Sequence, residues 1–267
     1  MSKSLLIFGG GGFLGQNICK LATLNGWKVT SVSRSGSPQF RSNIPYWATK
    51  IKWESGDLFD PSSYSHLLKE PHQAIVHSVG AYLEGNYKDQ VKKGELFGLL
   101  RSAIQSKLNP SPANSRDNTY NKLNFQSFKI LIDELNKQSG ERTFKPVVGY
   151  VSASPILPID VNPNYLNSKR ASEQYLLTNS HPNYKPLIFQ PGLMYSDERS
   201  LTLPLAGALS AANTLQTMIC KDINLVSKPL HVNQVAEGIV KAIDQTLINE
   251  EKTSEAPIFT PQKLINL

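Results

Sequence analysis

The chain has 267 residues, 40% of them hydrophobic and 18% charged, with a formal net charge of +7. That balance excludes a disordered or fibrous chain and fits one sizeable folded core. No apolar stretch reaches the ~20 residues needed to cross a bilayer, and two cysteines, Cys19 and Cys220, exclude a disulfide framework and point to a reducing compartment.

In chain order, apolar runs predict strands at 4–9, 27–33, 50–54, 73–79, 146–152 and 185–190. Helical periodicity falls between them at 13–25, 61–69, 119–139 and 165–179, with breakers at Gly26, Gly56-Asp57, Gly140 and Pro182. Alternation of this kind predicts an α/β fold, a Rossmann-type doubly wound parallel sheet with helices on both faces and a small C-terminal lobe. Residues 1–192 form the predicted core and 193–267 the lobe packed on it, as one structural domain overall. The lysine-rich insert at 84–118 ends in the loop Asn109-Pro110-Ser111-Pro112 and reads as a solvated excursion, with a substrate lid or an oligomer contact as alternatives. In the lobe, Leu201 to Ala212 reads as an apolar core helix, and His231-Val232-Asn233-Gln234-Val235-Ala236 opens a helix running to about Leu247.

The excess positive charge is diffuse. Its densest group, Lys88, Lys92, Lys93, Arg101 and Lys107, is mixed with Asp89 and Glu95 and has no interleaved aromatics, so no nucleic-acid partner is expected. His66, His72, His77, His181 and His231 are scattered without ligand spacing, and no metal is expected. The first strand begins almost at once, which leaves no room for a cleaved presequence.

The most informative segment is Leu5-Leu6-Ile7-Phe8 followed by Gly9-Gly10-Gly11-Gly12-Phe13-Leu14-Gly15. A buried strand, a glycine turn and a helix N-terminus together make a pyrophosphate site, because free amides and the positive helix end face the anion. Gly9, Gly10, Gly12, Phe13, Leu14 and Gly15 are the candidate contacts, and their spacing fits both Gly-x-Gly-x-x-Gly and Gly-x-x-Gly-x-x-Gly. The second strand ends Ser33-Arg34-Ser35, with no acid at its tip. An acid there would hold ribose hydroxyls and repel a 2′-phosphate, whereas arginine attracts it. The expected cofactor is therefore NADP(H) in preference to NAD(H), with Arg34 as the main discriminator and Ser33 or Ser35 assisting.

Tyr165-Leu166-Asn167-Ser168-Lys169 places a phenol and an ammonium four residues apart, on one helix face. A nearby ammonium stabilises tyrosinate, and a drop of three pKa units would correspond to about 4 kcal/mol. Tyr46 and Lys50 make the same spacing where no chemistry is expected; Tyr165 instead follows the fifth strand, which ends in Ser152-Ala153-Ser154. Ligands of open parallel sheets bind beyond the carboxyl ends of the strands, so both of these elements face the predicted cofactor.

With these residues the chain resembles the short-chain dehydrogenase/reductase superfamily, and more narrowly its extended and atypical branch. The resemblance implies that Ser152 polarises the substrate oxygen, Tyr165 exchanges the proton, Lys169 holds the nicotinamide ribose, and Asn124 completes a proton relay. It also implies that Asp57 and Leu58 lie at the adenine and that His77, Ser78 and Gly80 run along the cofactor. Gln190-Pro191-Gly192 resembles the family's Arg-Pro-Gly, with glutamine in place of arginine. Within that branch the chain is similar to fungal mitochondrial members tied to ubiquinone biosynthesis. That similarity implies a matrix-side location peripheral to the inner membrane and contact with a membrane-associated complex; a cytoplasmic location is the alternative. Leu193, Met194, Leu201, Leu203 and Leu205 suggest a small, apolar substrate, and core packing explains them equally. An NADPH-binding scaffold without turnover is the alternative function.

Overall fold

The structure is a computed structural model that describes residues 3–38, 40, 43–80, 119–141, 144–156, 163–180, 183–197, 207, 210, 228–249 and 258–267. The insert at 84–118 lies outside the described residues, as does the run from Leu201 to Ala212 apart from Gly207 and Ser210.

Strands β1 (Ser4–Phe8), β2 (Lys28–Ser33), β3 (Lys52–Ser55), β4 (Ala74–His77), β5 (Val147–Val151) and β6 (Lys185–Phe189) fall within two residues of the predicted bounds. Met194–Tyr195 (β7) and Leu230–His231 (β8) pair as a separate short ribbon, and β9 (Ile258–Phe259) closes the series. The main sheet has seven strands in the order β3-β2-β1-β4-β5-β6-β9, all parallel. Chain order reverses around β1, so the crevice beyond the carboxyl ends of β1 and β4 is the switch point where such sheets bind ligands.

Because the sheet is covered on both faces, its central strands carry apolar residues on both sides, as in Leu5–Phe8 of β1 and Ala74–Val76 of β4. Leu5 and Ile7 face one core, with α1 (Phe13–Leu24) and α5 (Val232–Ile248); Leu6 and Phe8 face the other. That second core is built with Leu67 and Leu68 of α2 (Ser65–Leu68), Phe128, Leu131 and Leu135 of α3 (Ser127–Lys137), and Leu176 of α4 (Pro163–Thr178). Each fully buried side chain of this size contributes about 1.5–3 kcal/mol. The described C-terminal elements are integrated into these layers: β9 pairs with β6, α5 packs beside α1, and α6 (Pro261–Ile265) packs on α5. No helix among the described residues is long and apolar enough to cross a membrane.

Two local features position the site. Helix α1 starts at Gly12 with neither a side-chain cap nor an acidic residue in its first turn, which leaves its amides available to an anion. Ahead of α3, the helix runs through a π-helical stretch, Asn121–Gln126. A π turn releases carbonyls from the helical ladder, and here the Asn124 carbonyl accepts from the Tyr150 hydroxyl at 3.1 Å and from Ser172 Oγ at 2.9 Å.

Candidate functional site

The glycine turn is held by its own geometry. Gly9 has φ +89°, which disfavours any side chain, and its carbonyl accepts from the Gly12 amide at 2.9 Å. A Cβ at Gly15 would lie 2.1 Å from the Gly9 carbonyl oxygen, so α1 can approach the turn only as glycine. Ser78 Oγ donates to the Phe8 and Gly9 carbonyls at 3.2 Å, tying the end of β4 to the same turn.

In front of this turn lies a cleft of about 650 Å³. It brings together Gly9, Gly12, Ser33, Arg34, Asp57, Leu58, Ser78 and Gly80 from the predicted set, drawn from four separate strand ends. The exposed Arg34 lies on its wall, and the Asp57 carboxylate accepts the Phe59 amide at 3.0 Å. Ser33 Oγ donates to the Gly36 carbonyl and so shapes the Arg34 turn. Val79, between Ser78 and Gly80, also lines the cleft, as do Phe59 and Lys122, which were not singled out from sequence; Lys122 Nζ sits 5.1 Å from the Phe59 ring centre.

Other predicted contacts lie behind this wall. Gly10 and Gly15 pack inside the turn, Leu14 is buried in the first core, and Phe13 packs against it. Ser35 is exposed next to Arg34, and Pro191 and Gly192 are buried beyond β6, where the Pro191 carbonyl accepts from the Ser154 amide at 2.9 Å. The His77 ring is fully buried between Phe128 and Tyr150, with Nε2 3.3 Å from Ser127 Oγ. Burial, aided by the charge of Lys169, holds its imidazole down to about 3, so it stays neutral at physiological pH.

Of the four predicted catalytic residues, Asn124 and Lys169 stand directly behind Gly80; Tyr165 lies on α4 with Lys169, and Ser152 follows the end of β5. A Cβ at Gly80 would fall 2.8 Å from both Asn124 Oδ1 and Lys169 Nζ, so that glycine lets the cleft reach the two side chains. Asn124 Nδ2 donates to Ser168 Oγ at 3.0 Å, and Ser168 donates to the Tyr165 carbonyl at 2.7 Å. Lys169 Nζ donates to the Val151 carbonyl at 2.9 Å and lies 5.0 Å from the Tyr150 ring centre. Burial lowers the Lys169 ammonium to about 7, although the Glu173 charge acts in the opposite sense. Tyr165 is also buried, its ring edge-on to Tyr120 with centres 5.7 Å apart.

Ser152 is held by Glu173 and Arg170, which the sequence reading did not single out, with Gln190, which it did, bound to the same carboxylate. Its Oγ donates to Glu173 Oε1, and the same oxygen accepts from Arg170 Nη1 and, at 2.9 Å, from Gln190 Nε2. The Arg170 guanidinium also reaches Ser152 Oγ at 3.3 Å and the Ala153 carbonyl at 2.7 Å. Gln190, where the resemblance expects arginine, thus donates to a carboxylate whose cation comes from α4. The sequence signal was there: Glu173 stands eight residues after Tyr165, on the stripe that carries Lys169.

A parallel sheet with this strand order, a glycine turn at its switch point and an uncapped helix behind it define a dinucleotide-binding Rossmann protein. The profile of the NAD dependent epimerase/dehydratase family matches residues 5–105. MIOREX complex component 2 of Saccharomyces cerevisiae is 30% identical, over 91% of this chain and 94% of that protein. Among solved structures, ElxO with NADP bound superposes with a TM-score of 0.63 at 14% identity, covering 99% of both chains. An oxidoreductase of the short-chain dehydrogenase/reductase family from Burkholderia thailandensis gives 0.63 at 11% identity, covering 99% of this chain and 93% of the other. The chain belongs to the NAD-dependent epimerase/dehydratase family, in the extended branch of the short-chain dehydrogenase/reductases.

Proposed function

We propose that the protein is an NADP(H)-dependent oxidoreductase of the short-chain dehydrogenase/reductase type, acting on a carbonyl or quinone-related compound. The observation that carries this reading is the convergence on one cleft of the glycine turn, Arg34 and, behind Gly80, the Lys169 amine. The residues fit a dinucleotide: the α1 amides suit the pyrophosphate, Arg34 a 2′-phosphate, Asp57 the adenine and Lys169 the ribose hydroxyls. When bound, the nicotinamide supplies the hydride chemistry. Tyr165 exchanges the substrate proton and Ser152 holds the substrate oxygen. On the resemblance to fungal mitochondrial members, the proposal extends to ubiquinone biosynthesis on the matrix side of the inner membrane.

Titration of the purified protein with NADPH and NADH, followed by nicotinamide fluorescence, tests the reading. Tight NADPH binding and weak NADH binding are expected, with the ratio collapsing in Arg34→Ala. An unchanged ratio in that variant removes the assignment, and failure to bind either nucleotide removes the function. A second reading, an NADPH-binding complex component without turnover, is favoured by the nearly full-length likeness to a MIOREX complex component. Co-purification with a membrane-associated complex that survives Tyr165→Phe, in a protein without turnover, would select it.

A further inference from the structure

The cleft in front of the glycine turn reaches past the pyrophosphate position to the edge of the sheet. In the order β3-β2-β1 the end of β3 lies two strands from that turn, about 10 Å at ordinary strand spacing. Arg34, at the tip of β2, stands between them. A nucleotide whose phosphates sit on the α1 amides therefore carries its ribose past Arg34 and delivers its base to Asp57-Leu58-Phe59, the loop that follows β3. Two charged side chains line the cleft at that end, Asp57 and, against Phe59, Lys122.

Both are set up to meet the edge of a base. The Asp57 carboxylate accepts the Phe59 amide at 3.0 Å, and the Asp57 amide donates to Ser63 Oγ at 2.9 Å, so the loop holds this side chain in place. An ionised carboxylate has about four lone-pair sites and no proton, so it still matches a donor on the ligand. Lys122 comes from the π-helical stretch, and its Nζ rests 5.1 Å from the Phe59 ring centre. The ring attracts the ammonium through its quadrupole. The ammonium makes no hydrogen bond or ion pair among the described residues, so its N–H donors are unspent.

Adenine fits that pair. Its exocyclic amine donates, and the neighbouring ring nitrogen N1 accepts. Hypoxanthine reverses both, with an oxygen at position 6 and a proton on N1. Set in the same place, it would turn an acceptor toward Asp57 and a donor toward Lys122. Sliding the base to exchange partners is opposed by the pinned loop and by Arg34 at the ribose. We infer that Lys122 is a base-specificity residue, donating to N1 of adenine while Asp57 accepts from the 6-amino group, with Phe59 positioning the ammonium. The inference rests on the dinucleotide-binding part of the reading above and adds to it the residue that reads the base.

The probe is deamino-NADPH, the hypoxanthine analogue of NADPH, which has the same charge and the same fluorescent nicotinamide. Both nucleotides are titrated into the full chain at about 0.15 M salt, where distant charges are largely screened. The wild type is expected to bind NADPH at least about tenfold more tightly than deamino-NADPH, the size of one lost charge-assisted hydrogen bond. Lys122→Met keeps the length of an exposed side chain and loses its donors. It is expected to weaken NADPH about tenfold and deamino-NADPH by less than about threefold. Asp57→Asn, whose amide nitrogen donates to an oxygen at position 6, is expected to move the preference toward deamino-NADPH. Equal affinity of the wild type for the two nucleotides overturns the inference. So does a Lys122→Met protein that weakens both by the same factor, as loss of a general attraction to anions would, or neither, as loss of a solvated surface lysine would. NADPH binding without base discrimination leaves the oxidoreductase reading standing and removes this inference alone. No NADPH binding at all removes both.

Discussion

Replacing Lys169 with methionine is expected to stabilise the folded protein at neutral pH, and to do so less as pH rises. Burial lowers the ammonium from 10.5 to about 7. The folded state therefore holds this proton less tightly than the unfolded chain does, so between those two values the unfolded chain binds more protons and stability rises with pH. The cost of the buried charge is fully present below the folded value and fades as pH approaches the unfolded one. At about 1.4 kcal/mol per unit, the penalty is about 4 kcal/mol at pH 7 and about 2 kcal/mol at pH 9. Methionine keeps the length of the side chain and loses the hydrogen bond to the Val151 carbonyl, worth about 1 kcal/mol. The net gain is then about 3 kcal/mol at pH 7 and about 1 kcal/mol at pH 9. For a chain of this size that corresponds to a melting temperature raised by about 6–12 °C at pH 7. Thermal unfolding of both proteins at pH 7, 8 and 9 measures it directly. Parallel curves across that range, or a variant less stable at pH 7, would refute the argument that the amine is buried against its charge.

His77→Phe is expected to remove an acid-sensitive term. Below pH 6.5 the unfolded chain takes up a proton that the folded imidazole, held down to about 3, refuses, so stability falls as pH drops. The wild type should lose about 2 kcal/mol more than the variant between pH 7 and pH 5 in urea unfolding; equal losses would exclude His77 as the source. Gly15→Ala, whose Cβ would meet the Gly9 carbonyl oxygen at 2.1 Å, is expected to cost more than 2 kcal/mol and to abolish nucleotide binding. Gly11→Ala has its nearest contact at 3.6 Å and should retain both, so a Gly11→Ala protein as damaged as Gly15→Ala would contradict the turn geometry. Tyr165→Phe keeps the ring against Tyr120 and loses only the hydroxyl, so nucleotide affinity should stay within about twofold while turnover of any substrate found falls by at least about 10²-fold. A variant with normal turnover would displace Tyr165 from the chemistry.

The layers of this fold were legible because fully buried strands write themselves as uninterrupted apolar runs. Leu5 to Phe8 alternate between the two cores without a polar break, and the glycines that follow can only be a turn. The seventh strand was not legible. Ile258 and Phe259 are two residues with no period to read, and only the exposed edge of β6 defines them as a strand. The π-helical stretch at Asn121–Gln126 was hidden for a different reason. Its departure from helical spacing is stabilised by hydroxyls from Tyr150 and Ser172, which sit far away in sequence.

Helix α4 shows why the half of the candidate site behind Gly80 was legible only in part. A helix laid on a sheet should bury an apolar stripe. This one buries Tyr165, Ser168, Lys169, Ser172 and Glu173, and only Leu176 on that face is aliphatic. Folding alone would not select a lysine and a glutamate for such positions, because each must be held by partners or neutralised. The helix therefore breaks the pattern that its own packing calls for, and such breaks collect where function requires them. The spacing of Tyr165 and Lys169 exposed the first two members of the stripe. Glu173, the third member, acquires its role only where the strand ends carrying Ser152 and Gln190 are brought against it. A polar stripe on a helix that must face a sheet is thus the stronger signal of the two, since a four-residue spacing recurs by chance at Tyr46 and Lys50, whereas a buried carboxylate does not persist without partners.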